Sequence, residues 1–199
     1  NPPLIKSEDL VNWTLVGDFL KHELPDVAIG EDISCPNFFP LGDKWMLLCI
    51  SHQLGCRYYL GDWDTEVEQF VPETHGRMNW RRPEQSIYNP VYRDFFAPES
   101  VLTPDGRRVM WAWLATLDDA INQKTIQFLP RQLSVAEDGS FRLQPLRELE
   151  SLRYDGVTFN NLVVTPPKQV DGKMITPRLT ELDGDALEVR ITIDRAEAW

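Results

Sequence analysis

The sequence predicts an all-β fold, and three observations support this prediction. The apolar stretches are short, and turn residues bound them on both sides, as at Lys44 to Ile50. Pairs of such stretches flank turn signals, of which Pro104-Asp105-Gly106 is the clearest. No long segment has a helical period. Short strands at close spacing predict a sandwich, a barrel or a propeller, and the periodicity alone does not decide among them.

The clearest helix start in the chain lies near its beginning. Ser7 can cap a helix, and Glu8 and Asp9 follow in the first turn, where the helix dipole favours acidic side chains. Gly17 and Pro25 limit how far such a helix extends. We therefore expect a short helix that begins at Ser7.

The following segment is predicted to consist of strands joined by hairpin turns. Glu137-Asp138-Gly139-Ser140 is the second clear hairpin turn. The repeated plan, strand, turn, strand and then an aromatic-rich loop, is compatible with propeller blades of four strands each. The predicted strands are residues 44–50, 56–60, 99–102, 108–114, 124–129, 132–135 and 141–143.

A change in composition after about residue 150 predicts a domain boundary. Residues 1–150 form the first module, and residues 151–185 are rich in Pro and Asp-Gly turns, which is typical of a linker. Residues 186–194 alternate apolar and polar side chains strictly, which predicts a half-buried strand. We expect residues 186–199 to begin a second domain.

Charge and composition exclude several classes of protein. The formal net charge is -11 at pH 7, so the surface repels phosphate backbones and nucleic acid is not an expected partner. No apolar run approaches the roughly 20 residues of a membrane span, so we expect a soluble protein without a membrane partner. The chain does not begin with Met, and we interpret its start as a cut end, which leaves the compartment open between cytoplasmic and secreted.

Three cysteines, Cys35, Cys49 and Cys56, leave at least one thiol unpaired. Their spacing is not that of a zinc site, and no matching histidines accompany them. We therefore expect neither a metal site nor a cofactor. The cysteines are interpreted as buried thiols that pack as small hydrophobic side chains.

Several segments, taken together, resemble the family 32 glycoside hydrolases. Cys35-Pro36-Asn37-Phe38-Phe39 resembles the family motif E-C-P-D-L-F, and Asp94-Phe95-Phe96-Ala97-Pro98-Glu99 resembles D-F-Y-A-P-Q. The other similar segments are Ser7 to Trp13 (S-x-D-L-x-x-W), Lys44 to Leu48, Tyr58 to Asp62 (Y-x-x-G-x), Gly106 to Leu114 (G-R-R-I-x-x-G-W), Leu129 to Ser134 (L-P-R-E-L-S) and Leu143 to Arg153. Each motif is weak alone, but their shared order over residues 7–153 carries the resemblance.

The resemblance implies a five-bladed β-propeller followed by a β-sandwich, with about three of the blades in residues 1–150. It also implies cleavage of β-fructosides such as sucrose, inulin or levan, so a small carbohydrate is the expected substrate. In the implied retaining mechanism an Asp nucleophile attacks the anomeric carbon, while a Glu protonates the leaving oxygen and then activates water. Fructosyl transfer and a non-catalytic carbohydrate-binding fragment are the alternatives. Open blade edges are expected to permit association with a second chain.

The chain departs from the family pattern at both catalytic carboxylates. No segment resembles W-M-N-D-P-N-G, which carries the nucleophile, or R-D-P, so we expect this chain by itself not to hydrolyse β-fructosides. Ser34 precedes Cys35 where the family has its acid/base Glu, and a serine hydroxyl does not donate its proton near neutral pH. Glu31 and Asp32 are the candidate replacements. On an extended strand Asp32 shares a face with Ser34, whereas Glu31 reaches the site only from a loop or bulge, which Gly30 before it permits. Glu31 is slightly preferred because a glutamate has the longer reach, and Asp32 is a nearly equal candidate.

Asp94, Trp113 and Ser34 are the candidate substrate-binding residues. Asp94 and Trp113 lie at positions that match family motifs, so the resemblance implies contacts with the sugar. Core packing is an equally good interpretation of Trp113 and of Trp111, which alternation places on the same strand face. The prolines and charges of residues 81–93 predict an exposed, mobile loop. A loop at the rim of the site that shapes substrate choice is the less favoured alternative.

Overall fold

The computed structural model divides the chain into two compact units, residues 1–147 and residues 148–199. The all-β prediction is confirmed, because strands dominate the described part of the first unit and no α-helix occurs there. Within the described part of the chain, no helix is long and apolar enough to cross a membrane. The described residues are 2–21, 24–25, 27, 30–51, 55–78, 95–115, 125–161, 168–170, 173–175 and 187–193.

Antiparallel pairing joins all the named strands of the described residues. The strands of the first unit are β1 (Pro3–Lys6), β2 (Thr14–Asp18), β3 (Ser34–Leu41), β4 (Lys44–Ser51), β5 (Gly55–Asp64), β6 (Gln69–Arg77), β7 (Phe96–Leu102), β8 (Arg108–Ala115), β9 (Thr125–Gln127), β10 (Arg131–Val135) and β11 (Phe141–Pro145). A 3-10 helix (Arg147–Leu152) follows, and then β12 (Lys168–Val170) and β13 (Lys173–Ile175).

Strands β3 to β6 form a four-stranded sheet in chain order. Burial is greatest in β4, where every residue from Met46 to Ser51 is buried. Alternate side chains of β4 enter different hydrophobic clusters, because Leu48 packs in one cluster and Leu47 and Cys49 pack in the other. Burial on both faces explains why the sequence of β4 is a continuous apolar run instead of an alternating pattern.

Strands β7, β8, β10 and β11 form the second sheet, and β9 pairs with β8 in the same sheet. The predicted turn Pro104-Asp105-Gly106 joins β7 to β8, and Gly106 has a φ of 83°, a left-handed conformation that favours glycine. The second predicted turn joins β10 to β11, and Gly139 in it has a φ of 79°. Both hairpins therefore follow from their turn residues.

One hydrophobic cluster joins the two sheets. Leu48 of the first sheet packs with Met110 and Leu133 of the second, and all three side chains are buried. The guanidinium carbon of Arg108 in β8 lies 4.1 Å from the centroid of the Phe39 ring in β3, so a cationic side chain covers an aromatic ring across the joint. The strands β3 and β7 are also in contact. The first strand of one sheet therefore lies beside the first strand of the other.

The helix predicted at Ser7 is wrong, although its capping hydrogen bonds form. Ser7 Oγ accepts a hydrogen bond from the N–H of Leu10 over 2.8 Å. Asp9 Oδ1 accepts from the N–H groups of Asn12 over 2.7 Å and Val11 over 2.9 Å, and these bonds hold the pKa of Asp9 far below its ordinary value. Leu10 has a φ of 61°, which is incompatible with a right-handed helix. The segment is therefore a turn that leads into β2.

The strand predicted over residues 186–194 is not formed in the described residues 187–193, which are exposed. A segment that alternates apolar and polar residues can bury its apolar face only against a partner sheet. The alternation in the sequence does not show whether such a partner is present. Arg153 Nε instead binds Glu188 Oε2 over 2.7 Å, which ties this segment to the end of the 3-10 helix. The hairpin of β12 and β13 lies within the predicted linker. The division at residues 150 and 185 stays a prediction.

Two blade-sized sheets and the two-stranded sheet of β1 and β2 occupy the described part of residues 1–150, for which about three blades are predicted. The sheets have four and five strands, which suits the predicted blade plan. The loop predicted at residues 81–93 lies outside the described residues.

Candidate functional site

The beginning of β3 brings three of the predicted site residues together. Ser34 Oγ donates a hydrogen bond to Asp32 Oδ2 over 3.1 Å, in agreement with their shared strand face. Glu31 directly precedes Asp32, and Asp32 and Ser34 are half-buried. Asp32 therefore keeps partial access to solvent beside a neutral hydroxyl group.

Glu31 is the counter-ion of a buried arginine. Its Oε1 lies 2.8 Å from Arg57 Nε, and the two side chains are only 6% and 5% exposed. The contact is an ion pair without hydrogen-bond alignment, since neither atom has a hydrogen-bond partner among the described residues. The Glu31 side chain therefore extends into the interior towards Arg57 and is not presented at a surface that a substrate oxygen can approach.

Arg57 lies in β5, is buried, and contacts several other polar side chains. Its Nη2 lies 3.0 Å from His75 Nδ1 and 3.5 Å from the Tyr59 hydroxyl. Because arginine only donates hydrogen bonds, His75 accepts at Nδ1, and a neutral His75 carries its proton on Nε2. Burial raises the pKa of Tyr59, although the hydrogen bond from Arg57 lowers it. Arg57 is not among the residues predicted for the site, and the signal that could have indicated it is a charged residue inside the apolar run Cys56 to Leu60.

Two of the three thiols are buried, as predicted, and the third is not. Cys49 faces Arg57 across the β4–β5 ladder, and burial raises the pKa of Cys49 to about 12. Burial also raises the pKa of Cys56. Cys35 is exposed at the start of β3, so the interpretation of all three as core residues is wrong for Cys35. The reason is its place at the end of a sheet, where the chain enters β3 from the Glu31–Asp32 segment.

The first strands of both sheets contain the same strained turn of backbone. Cys35 has a φ of 48° directly before Pro36, and Ala97 has a φ of 45° directly before Pro98. Each lies where the strand pairing is irregular. A positive φ is costly for a residue with a side chain, and such strain concentrates at functional sites. The sequence does not reveal it, because residues before proline are ordinarily extended.

The side chain of Asn37 connects the two first strands. Its Nδ2 donates to Glu99 Oε2 over 3.0 Å. Its Oδ1 accepts from the backbone N–H of Ser100 over 2.9 Å and from Ser100 Oγ over 3.1 Å. Because Ser100 N–H can only donate, the amide orientation is fixed with the nitrogen towards Glu99. Neither Asn37 nor Glu99 is among the residues predicted for the site.

The predicted sugar contacts lie partly outside the described residues. Trp113 in β8 is 40% exposed and meets the ring of Phe96 edge-on, with centroids 6.4 Å apart, so it is available for a sugar. Trp111 on the same strand is half-buried. Asp94 lies outside the described residues. Among the described residues, no group of three or more His, Cys, Asp or Glu side chains could hold a metal ion.

Comparison with known proteins gives a family match over most of the chain. The N-terminal domain of the glycosyl hydrolases family 32 matches residues 3–145. The chain is 27% identical over 189 residues to sucrose-6-phosphate hydrolase of Salmonella typhimurium, covering 84% of this chain and 38% of that protein. It is 30% identical over 184 residues to β-fructofuranosidase, insoluble isoenzyme 4, of Oryza sativa subsp. japonica, covering 80% of this chain and 29% of that protein.

Solved structures show the same fold. Fructan 1-exohydrolase IIa from Cichorium intybus has a TM-score of 0.58 at 22% identity, over 83% of this chain and 34% of that chain. Sucrose-6-phosphate hydrolase from Lactobacillus gasseri has a TM-score of 0.58 at 18% identity, over 83% and 35%. The predicted propeller-type fold is therefore confirmed for the part of the propeller that this chain contains. The chain spans about a third of the length of these relatives.

Proposed function

The chain belongs to the glycosyl hydrolases family 32, and from this membership we propose that the complete protein hydrolyses β-fructosides. The observation that carries the proposal is the family match over residues 3–145. The names of the relatives support it, since they include sucrose-6-phosphate hydrolases, a β-fructofuranosidase and fructan 1-exohydrolases. The substrate is a small, neutral or sugar-phosphate carbohydrate with a terminal fructosyl unit.

The chemistry is that of a retaining glycosidase, which needs two carboxyl groups roughly 5 Å apart on opposite sides of the scissile bond. The start of β3, where Asp32 and Ser34 are hydrogen-bonded and Glu31 lies next to them, is the proposed acid/base side of this arrangement. Trp113 has an accessible aromatic face on which the apolar side of a sugar ring can stack. The resemblance of the segment Asp94 to Glu99 to the family motif D-F-Y-A-P-Q is the basis for assigning the sugar hydroxyls to the carboxylate of Asp94.

A fructose-release assay tests the proposal. The full-length protein is incubated with sucrose, sucrose 6-phosphate, inulin and levan, and free fructose is measured over time. We expect turnover of at least one of these substrates by the full-length protein and none by the 199-residue chain, because no segment of the chain resembles the nucleophile motif. Lack of fructose release from all four substrates would refute the function, and turnover by the 199-residue chain would refute the assignment of the nucleophile.

A non-catalytic carbohydrate-binding protein is the second candidate. Two observations favour it: Ser34 stands at the acid/base position, and the carboxylate of Glu31 is buried against Arg57. Isothermal titration with inulin distinguishes the two, because binding without fructose release would select the binding protein. Fructosyl transfer is a third outcome, which chromatography of the products would reveal as longer fructosides.

A further inference from the structure

Three carboxylates lie at the starts of β3 and β7, and they differ in what holds them. Glu31 is buried and paired with Arg57, and Asp32 accepts the hydroxyl of Ser34. Glu99 is exposed, and its Oε2 accepts a hydrogen bond from the neutral amide of Asn37. No cation contacts Glu99 among the residues that the structure describes. Glu99 is therefore the exposed carboxylate of the three, and a neutral amide holds it in place.

The register shows that Asn37 and Glu99 occupy equivalent positions in the two sheets. In β3 the irregular stretch runs from Ser34 to Asn37, and in β7 it runs from Phe96 to Glu99. Each stretch contains one residue at positive φ followed by a proline. Asn37 and Glu99 each directly follow such a proline, and their side chains form a hydrogen bond between the two sheets.

The sequence departs from the family motifs at these same positions. Ser34 stands where the motif E-C-P-D-L-F has Glu, and Asn37 stands where it has Asp. Glu99 stands where the motif D-F-Y-A-P-Q has Gln. The start of β3 has lost two carboxylates, and the neighbouring position of β7 has gained one. Ser34 and Asn37 lie opposite Ile50 and Leu48, which are two residues apart in β4, so the irregular stretch brings Ser34 and Asn37 to about 7 Å from each other along the sheet.

We propose that Glu99 is the proton donor and acceptor of the site, in place of the glutamate that this chain lacks at Ser34. This inference rests on the proposed β-fructosidase function. In the first step the Glu99 carboxyl proton goes to the glycosidic oxygen as its bond to the fructosyl carbon breaks, and the bonding electron pair leaves with that oxygen. A nucleophilic carboxylate of the complete protein forms the new bond. In the second step water attacks the same carbon, the ester bond breaks, and Glu99 takes the proton of the water.

Asn37 is the positioning residue in this arrangement. Its amide oxygen is occupied by Ser100, so its nitrogen stays directed at the carboxylate of Glu99. The neutral amide orients the carboxylate of Glu99 without placing a positive charge beside it, whereas Glu31 lies against the guanidinium of Arg57.

The rival explanation is structural, because the amide–carboxylate pair could serve only to join the two sheets. The double variant Asn37→Asp/Glu99→Gln separates the two explanations. It reverses the pair and restores the residue types of the family motifs, so one carboxylate and one amide still meet at the joint. Under the structural explanation the double variant keeps both its stability and its activity. Under the catalytic explanation it keeps its stability and loses its activity.

The experiment uses the full-length protein and measures kcat/KM on sucrose and on an aryl β-fructofuranoside with a good leaving group. We expect Glu99→Gln and the double variant to lose about 10²–10⁴-fold on sucrose, the usual contribution of general acid–base catalysis, and less on the aryl substrate. Azide should restore turnover of the aryl substrate by Glu99→Gln, with fructosyl azide as the product. Glu137→Gln in the β10–β11 turn is the matched control and should behave as the wild type.

The outcomes separate this inference from the proposed function. A wild-type protein that is inactive on both substrates would overturn the function and the inference together. An active wild type with an equally active Glu99→Gln variant or double variant would overturn the inference alone. Loss on sucrose with azide rescue in Asp32→Asn, and not in Glu99→Gln, would assign the proton transfer to Asp32 and refute the role of Glu99.

Discussion

Replacement of Arg57 by methionine is expected to destabilise the protein strongly. Arg57 Nε and Glu31 Oε1 are 2.8 Å apart, which corresponds to an attraction of about 6 kcal/mol at an effective dielectric constant of about 20. The desolvation of both groups offsets much of this attraction in the intact pair. Removal of Arg57 alone leaves the Glu31 carboxylate buried without its counter-charge, so we expect a loss of about 3–5 kcal/mol in the free energy of unfolding.

The measurement is urea unfolding followed by tryptophan fluorescence, in a double-mutant cycle. The variants are Arg57→Met, Glu31→Leu and the combination of both, and the combination should cost less than the sum of the singles by about 2 kcal/mol or more. Arg153→Met is the control, because its bridge to Glu188 lies at the surface and should contribute less than about 1 kcal/mol. A cost of Arg57→Met below about 1 kcal/mol, or strictly additive costs, would refute the buried-pair explanation.

Three further predictions test other parts of the structure. Gly61→Ala should lower the free energy of unfolding by about 1–3 kcal/mol, because the added Cβ would lie 2.0 Å from a backbone carbonyl oxygen of β6. Gly30→Ala, where nothing lies within 4 Å, is its control, and equal unfolding midpoints for the two variants would contradict the clash. Iodoacetamide should alkylate exposed Cys35 in the native protein long before Cys49, whose pKa burial raises to about 12, and mass spectrometry that finds Cys49 modified first would exclude this. The hydroxyl of Thr103 donates a hydrogen bond to Asp105 and lowers the pKa of the Asp105 carboxyl below 3.8. The ionised Asp105 therefore contributes stability above pH 3.8, and this contribution is lost as the pH falls through the lowered pKa. Asp105→Asn should therefore be destabilising at pH 7 and nearly neutral at the lowest pH where the protein stays folded, and a penalty that does not change with pH would argue against this linkage.

Local chemistry accounts for the part of the fold that the sequence predicts. The turn positions of Gly106 and Gly139 require a left-handed backbone, which glycine adopts without steric cost, so these hairpins can be located without knowledge of the rest of the chain. Strands β1, β2 and β6 cannot be identified from the sequence, because their residues are mixed in polarity and show no clear apolar pattern. Ser7 shows the opposite error, since the same side-chain hydrogen bonds that cap a helix also close a turn.

The candidate site is predicted only in part, for a physical reason. The spacing of Asp32 and Ser34 determines their shared face, and the structure has the corresponding hydrogen bond. Arg57 is distant in sequence from Glu31, so no local pattern indicates that this carboxylate is already paired. The contact between Asn37 and Glu99 likewise depends on how two sheets pack. A resemblance to a family locates the positions of a site, but it does not show which acids are accessible there.

We propose that the complete protein is a retaining enzyme that transfers a fructosyl unit from a β-fructoside to water. Methanolysis tests this claim directly, because methanol competes with water for the fructosyl intermediate and keeps a record of the stereochemistry. The full-length protein is incubated with sucrose and methanol, and the first methyl fructoside formed is identified by NMR. We predict methyl β-D-fructofuranoside, the product of retention. The α-anomer as the first product, or sucrose left intact by a folded protein, would contradict the account.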